Sequence, residues 1–181
     1  KNSRLRTEDN PTYSTKELPL CFESMVDVKK AVKEFSCNLK PVLIHGENGT
    51  GKGLIAQTIH EQSSKSDRPF LKINCAFRQA RAIHSQLFKH LRKDSTNTHL
   101  SSLIGEEKVI YLSNIEALSK DLQEKLAEVL LSKDSQQDGF YLELLPIRVF
   151  ASSSKDLDAL ALKGQFHPAL LDTFKDSTLS I

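Results

Sequence analysis

The chain has 181 residues, 39% of them hydrophobic and 27% charged, with a formal net charge of +2. That is enough chain for one domain with a proper core, and the composition excludes a disordered tail or a basic nucleic-acid arm. No apolar run approaches the roughly 20 residues of a membrane span, the polar start is no signal peptide, and the odd set Cys21, Cys37 and Cys75 has no paired spacing, which speaks against a disulfide framework or zinc site and for buried thiols in a reducing cytoplasm.

Residues 1–20 are polar, hold Pro11 and show neither helical nor strand period, so they read as a linker ahead of a domain spanning 21–181. Residues 23–35 place Met25, Val28, Val32 and Phe35 at helical spacing, an amphipathic helix with an apolar side for a sheet. Residues 41–45 follow as a first buried strand.

Directly after that strand comes Gly46-Glu47-Asn48-Gly49-Thr50-Gly51-Lys52-Gly53, opening a helix that starts near Leu54 and runs to about residue 62. A glycine-rich turn between strand and helix is a phosphate cradle. Glycines reach left-handed backbone geometry and turn N–H groups inward, the helix aims its positive end at the anion, and Lys52 adds a point charge. The spacing predicts a nucleoside triphosphate, ATP or another, held by residues 46–54. The hydroxyl that ordinarily follows the lysine and holds magnesium is absent, because position 53 is glycine, so phosphate binding is better supported than metal binding. The plain alternative is a β-to-α turn that binds nothing.

Residues 63–68 form a turn, 69–73 a second strand ending at Asn74-Cys75, and 76–91 a helix with Ala80, Ile83, Leu87 and Phe88 on one side. Residues 93–102 are polar and without pattern. A third strand spans 109–112, a helix 120–131 turns Leu122, Leu126, Val129 and Leu130 inward, a fourth strand spans 147–151, and a short fifth spans 178–181. Short apolar strands alternating with helices of ten or more residues predict an α/β fold: a mostly parallel, five-stranded sheet covered on both faces, a three-layer P-loop domain with its ligand at the carboxyl ends of the strands. His60, His84, His90 and His99 form no ligand cluster in sequence, so no metal site is expected. Lys29, Lys30 and Lys33, and again Lys89, Arg92 and Lys93, read as solvated basic faces, although an arginine there would also suit a guanine or phosphate of cyclic di-GMP.

The loop Gly46 to Ala56, together with Ile59-His60, Ser63-Ser64, Arg68-Pro69-Phe70, Ile73-Asn74-Cys75-Ala76, Gln86-Leu87-Phe88, Leu122-Gln123-Glu124-Lys125-Leu126, Arg148 to Leu157 and Gly164-Gln165-Phe166, resembles the AAA+ domain of bacterial enhancer-binding proteins, the sigma-54 activators. The resemblance covers the α/β subdomain without the helical lid that follows it in the family. It implies a receiver domain before, a helix-turn-helix DNA-binding domain after, contacts with RNA polymerase and DNA through those neighbours, and self-association as a dimer or an ATP-driven ring.

The departures fall on the hydrolytic parts. The third strand should end in Asp-Glu, the first holding magnesium and the second polarising water, but it ends in Ser113-Asn114. Asn74 matches the switch residue that restrains the missing glutamate, and Ser154 matches the sensor asparagine. The arginines that reach a neighbouring subunit's nucleotide correspond to His167 and Thr173. The loop that grips sigma-54 has no counterpart in residues 93–107. The resemblance is thus to atypical members that work with the ordinary polymerase, some responding to cyclic di-GMP. Three readings follow: a regulatory nucleotide-binding module without catalytic residues, a working ATPase with Glu47 or Glu116 as substitute acid, and a ligand-free oligomerisation scaffold.

Overall fold

The computed structural model describes residues 26–77, 79–89, 109–131 and 148–181, with no side-chain description for 86–89. The expected linker, Met25, the side chains of Leu87 and Phe88, and the stretch 93–107 lie outside the described residues. Five parallel strands, β1 (Val42–His45), β2 (Phe70–Asn74), β3 (Val109–Ser113), β4 (Arg148–Ser153) and β5 (Thr178–Ser180), form one sheet in the order β2-β3-β4-β1-β5. The helices are α1 (Val26–Cys37), α2 (Lys52–Glu61), α3 (Ala80–Lys89), α4 (Lys120–Leu131), α5 (Leu157–Leu162) and α6 (Pro168–Asp172).

The strands are apolar on both sides because both faces are covered. Val42, Ile44, Val109, Tyr111 and Phe150 face α1 and α2, packing on Val28, Val32, Phe35, Ile55 and Ile59. The alternate residues Leu43, Ile110, Leu112, Val149 and Ala151 face Leu122, Leu126, Leu157, Leu170 and Phe174 of α4, α5, α6 and the turn after α6. Two packed layers around one sheet give the expected three-layer α/β fold.

Helix α1 is tied down by polar contacts as well as its stripe. Ser36 Oγ donates to Val32 O at 2.6 Å and lies 3.3 Å from Ile59 O of α2. The guanidinium of Arg148, buried and lowered to about 10 by desolvation, donates to Phe35 O at the helix's carboxyl end and sits 4.6 Å from the Phe150 ring.

Several sequence expectations shift. The helix expected at 76–91 begins at Ala80, because Asn74 Oδ1 accepts from Ala76 N at 3.0 Å and bends the chain into a turn over 75–77. Phe77 in that turn is 87% exposed, Ala80 is exposed rather than inward, and Val129 is half-buried. Cys75 is buried as expected, whereas Cys37 at the end of α1 is exposed. The fourth strand extends to Ser153, and α5 and α6 form where no helix was expected.

Candidate functional site

Residues 46–54 join the carboxyl end of β1 to the start of α2, as their spacing requires. Gly49 (φ 87) and Gly51 (φ 85) adopt left-handed geometry, which an L side chain occupies only at a cost. Gly46 is glycine for a different reason: a Cβ there would lie 2.7 Å from both the Cγ1 and the carbonyl oxygen of Ile181. The loop is pinned to the sheet by Gly46 N donating to Ser153 O at 3.2 Å, and it closes on itself through Thr50 Oγ1 to Glu47 O at 2.8 Å. Lys52 Nζ donates to Gly46 O at 2.8 Å and Glu47 O at 2.6 Å, so the ammonium is already centred on the cradle. Asn48 and the Glu47 side chain are exposed, Gly53 and Leu54 half-buried at the first turn of α2, whose leading N–H groups have no intrahelical acceptor.

The neighbouring strand ends stand alongside. Ser153 pairs with His45, and Ser113 pairs with both Ser152 and Asn74. Asn114 has φ 54 and ψ 53, a conformation asparagine tolerates better than most residues, and its Nδ2 donates to Asn74 Oδ1 at 3.1 Å. The structure therefore joins the expected switch residue to the residue in the glutamate's place by a neutral amide pair. Ser154, the expected sensor, follows β4 directly and is half-buried. Glu116, in a 3-10 turn over Ile115–Ala117, has a buried Oε2 with no hydrogen-bond partner among the described residues. Its charge adds to burial in pushing the Cys75 thiol up to about 12, which makes that thiol inert.

His167 and Thr173 flank α6, on the sheet face opposite α2. His167 N donates to Gln123 Oε1 at 2.8 Å and Thr173 Oγ1 to Leu170 O at 2.7 Å, so both positions are engaged in holding their own layer. On that same face a cleft of about 440 Å³ lies between β1, β5 and the α5–α6 region, lined by His45, Asp156, Asp158, Lys175, Thr178 and Ser180. It takes in none of residues 46–54.

Two residues to which the sequence assigned no part in the site stand beside it. Tyr111 of β3 reaches α2: a Cβ on Gly53 would lie 3.3 Å from Tyr111 Cε1 and 3.4 Å from its hydroxyl oxygen. That hydroxyl shares a 2.8 Å hydrogen bond with Ser152 Oγ, and both side chains are buried. In sequence Tyr111 is one apolar-looking residue of a strand, and only the pairing of β3 with β4 and the seat of α2 reveal the contact. Magnesium, which the fold implies beside such a loop, does not fit these donors: position 53 has no side chain, Ser113 is neutral, and no group of three or more His, Cys, Asp or Glu is disposed for a metal among the described residues.

A family model described as the sigma-54 interaction domain matches residues 21–180. The chain belongs to that family. Its sigma-54 interaction domain is 32% identical over 152 residues to the regulatory protein AtoC of Escherichia coli K12, covering 81% of this chain and 33% of that protein. It is 33% identical over 163 residues to the anaerobic nitric oxide reductase transcription regulator NorR of Escherichia coli SE11, covering 87% and 32%. The chain thus spans about a third of these relatives. Among solved structures, NtrX from Brucella abortus in complex with ATP superposes with a TM-score of 0.69 at 19% identity, over 88% of this chain and 37% of that one. The P-loop NTPase domain of an E. coli sigma-54 activator gives 0.62 at 14% identity, over 87% and 96%. These likenesses establish the P-loop α/β fold for the sigma-54 interaction domain described here. No helix of the described residues is long and apolar enough to cross a membrane.

Proposed function

We propose that this domain is a nucleotide-binding regulatory module of a bacterial transcription regulator, in which a nucleoside triphosphate at residues 46–54 controls self-association and, through segments outside this chain, DNA binding. The observation that carries the reading is the loop itself: two left-handed glycines, Lys52 centred on the loop carbonyls and the start of α2, beside a β3 end that offers Ser113 and Asn114. An NtrX of the same fold was crystallised with ATP and with ADP, which supports an adenine nucleotide here. Binding needs the cradle, whereas hydrolysis needs a carboxylate and a charge from a neighbouring subunit, and those positions hold Asn114, His167 and Thr173. Without the gripping loop in residues 93–107, the domain works with the ordinary polymerase rather than remodelling the sigma-54 form.

The test is calorimetric titration of the chain with ATP, a non-hydrolysable analogue and cyclic di-GMP, with sedimentation to follow mass. Triphosphate should bind and shift the mass distribution, and Lys52→Ala should weaken binding by more than about tenfold while leaving the fold intact, because among the described residues Lys52 bonds to its own loop. An empty site at saturating nucleotide would leave the scaffold reading. One observation favours the ATPase reading, the unpartnered Oε2 of Glu116. Nucleotide-dependent phosphate release that Glu116→Gln abolishes would establish it.

A further inference from the structure

A phosphate loop beside a parallel sheet ordinarily shares a divalent cation between the hydroxyl after its lysine and a carboxylate at a strand end. Here both donors are missing, and Tyr111 crowds the place of the first. Its Cε1 stands 3.3 Å from where a Cβ of residue 53 would be, a little tighter than ordinary contact, with the hydroxyl oxygen at 3.4 Å and Cζ at 3.6 Å in ordinary contact. Nor can the ring readily swing aside. Its hydroxyl is bonded to Ser152 Oγ at 2.8 Å, and its other neighbour is Phe70, stacked at 6.1 Å between ring centroids. Phe70 in turn stacks on His60 of α2 at 5.1 Å and meets Phe150 edge-on at 5.9 Å. Tyr111 is 6% exposed and Ser152 1%. Burial also raises the phenol's pKa, which keeps the hydroxyl neutral and a poor ligand for magnesium.

We infer that this site takes a nucleotide without a protein-bound metal: Tyr111 closes the cation position, and the phosphate charge is met by Lys52 and by the backbone N–H groups of the loop and the first turn of α2. The inference rests on the nucleotide reading above and adds its metal requirement. Among the described residues, the positive charge at the loop is then one ammonium and a helix terminus, which suits capture and release of a ligand more than stabilisation of a departing phosphoryl group.

The experiment compares ATP binding to the wild-type chain in excess EDTA and in excess magnesium, with manganese in place of magnesium and water-proton relaxation to detect metal held by protein. Affinities within about tenfold of each other, and no relaxation enhancement from manganese added to the chain without nucleotide, are expected. Binding that appears only with magnesium, or tightens by more than that factor, overturns the inference and leaves nucleotide binding standing. Absence of binding under both conditions overturns the nucleotide reading and this inference with it. The wild-type comparison needs no variant. To isolate Tyr111, Gly53→Ser/Ser113→Asp supplies the two donors with the ring kept, and it should stay indifferent to magnesium, while adding Tyr111→Leu should create a dependence. Metal dependence in the double variant would show that the ring does not close the position.

Discussion

Gly51 ends the phosphate loop in left-handed geometry one residue before α2, with open space around a would-be Cβ. The cost of a side chain there is therefore backbone strain without steric clash, on the order of 1–2 kcal/mol. Gly51→Ala should lower the unfolding free energy by that much, seen as a lower urea midpoint with an unchanged slope, and loss of stability well beyond it would mean the loop packs on something else. His60 makes a different kind of statement. It is 3% exposed, donates Nε2–H to Arg68 O at 3.0 Å, leaves Nδ1 without a partner among the described residues, and is held neutral by desolvation, which lowers its pKa below 6.5. Above pH 6.5 both folded and unfolded chains carry the ring neutral and it contributes nothing to pH dependence. Below 6.5 the unfolded chain takes up a proton that the folded one resists, so stability falls as pH drops, by at most about 1.4 kcal/mol per pH unit from this group. Urea unfolding on either side of pH 6.5 should show that slope, and His60→Gln should flatten it.

Among the elements, those with long apolar periods were readable in sequence and the short capped ones were not. Val28, Val32 and Phe35 fixed α1, Leu122, Leu126 and Leu130 fixed α4, and the continuous apolar runs fixed β1, β3 and β4 as strands buried on both sides. Helices α5 and α6 have six and five residues, too few for a period to show. Their signals were punctuation instead: Asp156 Oδ1 accepts from Ala159 N as an N-cap, Gly164 with φ 65 ends α5, and Pro168 opens α6. These caps aim Phe166, Leu170 and Phe174 into the layer facing α4, where all three are at most 2% exposed. A segment read in sequence for its place beside a neighbouring subunit is also part of one core layer. Phe174→Ala should accordingly cost about 3–5 kcal/mol, a large part of the ~5–15 kcal/mol that holds a domain of this size. A thermal or urea melt measures it, and a loss below about 1 kcal/mol would show that the layer repacks without that ring.

At the scale of the whole molecule, the positions that departed in sequence from the general phosphate-loop motif and from the family pattern lie on separate elements: residue 53, of the former, on α2, and, of the latter, residues 113 and 114 at the end of β3 and residues 167 and 173 flanking α6 on the other face. Their separation was legible; their consequence depends on contacts that were not, above all Tyr111 against Gly53 and the amide pair of Asn74 and Asn114. On the reading proposed above these substitutions are independent in space, so reverting one should not restore turnover. Ser113→Asp/Asn114→Glu returns the two carboxylates, yet Glu at 114 must take the left-handed backbone that Asn114 holds at φ 54, and the metal position remains closed by Tyr111. A general base contributes roughly 10²–10⁴ in rate and an arginine from a neighbouring subunit roughly 10³–10⁵; with His167 and Thr173 unchanged, the second factor stays absent whatever the first becomes. We therefore expect phosphate release by the wild-type chain and by this double variant to be indistinguishable from buffer, while both still bind triphosphate. The measurement is a coupled phosphate assay at protein concentrations high enough for self-association, run with Lys52→Ala as the control. Turnover in the wild type that Lys52→Ala removes would make the site an enzyme after all, and turnover in the double variant alone would mean that the missing carboxylates were the whole of the defect.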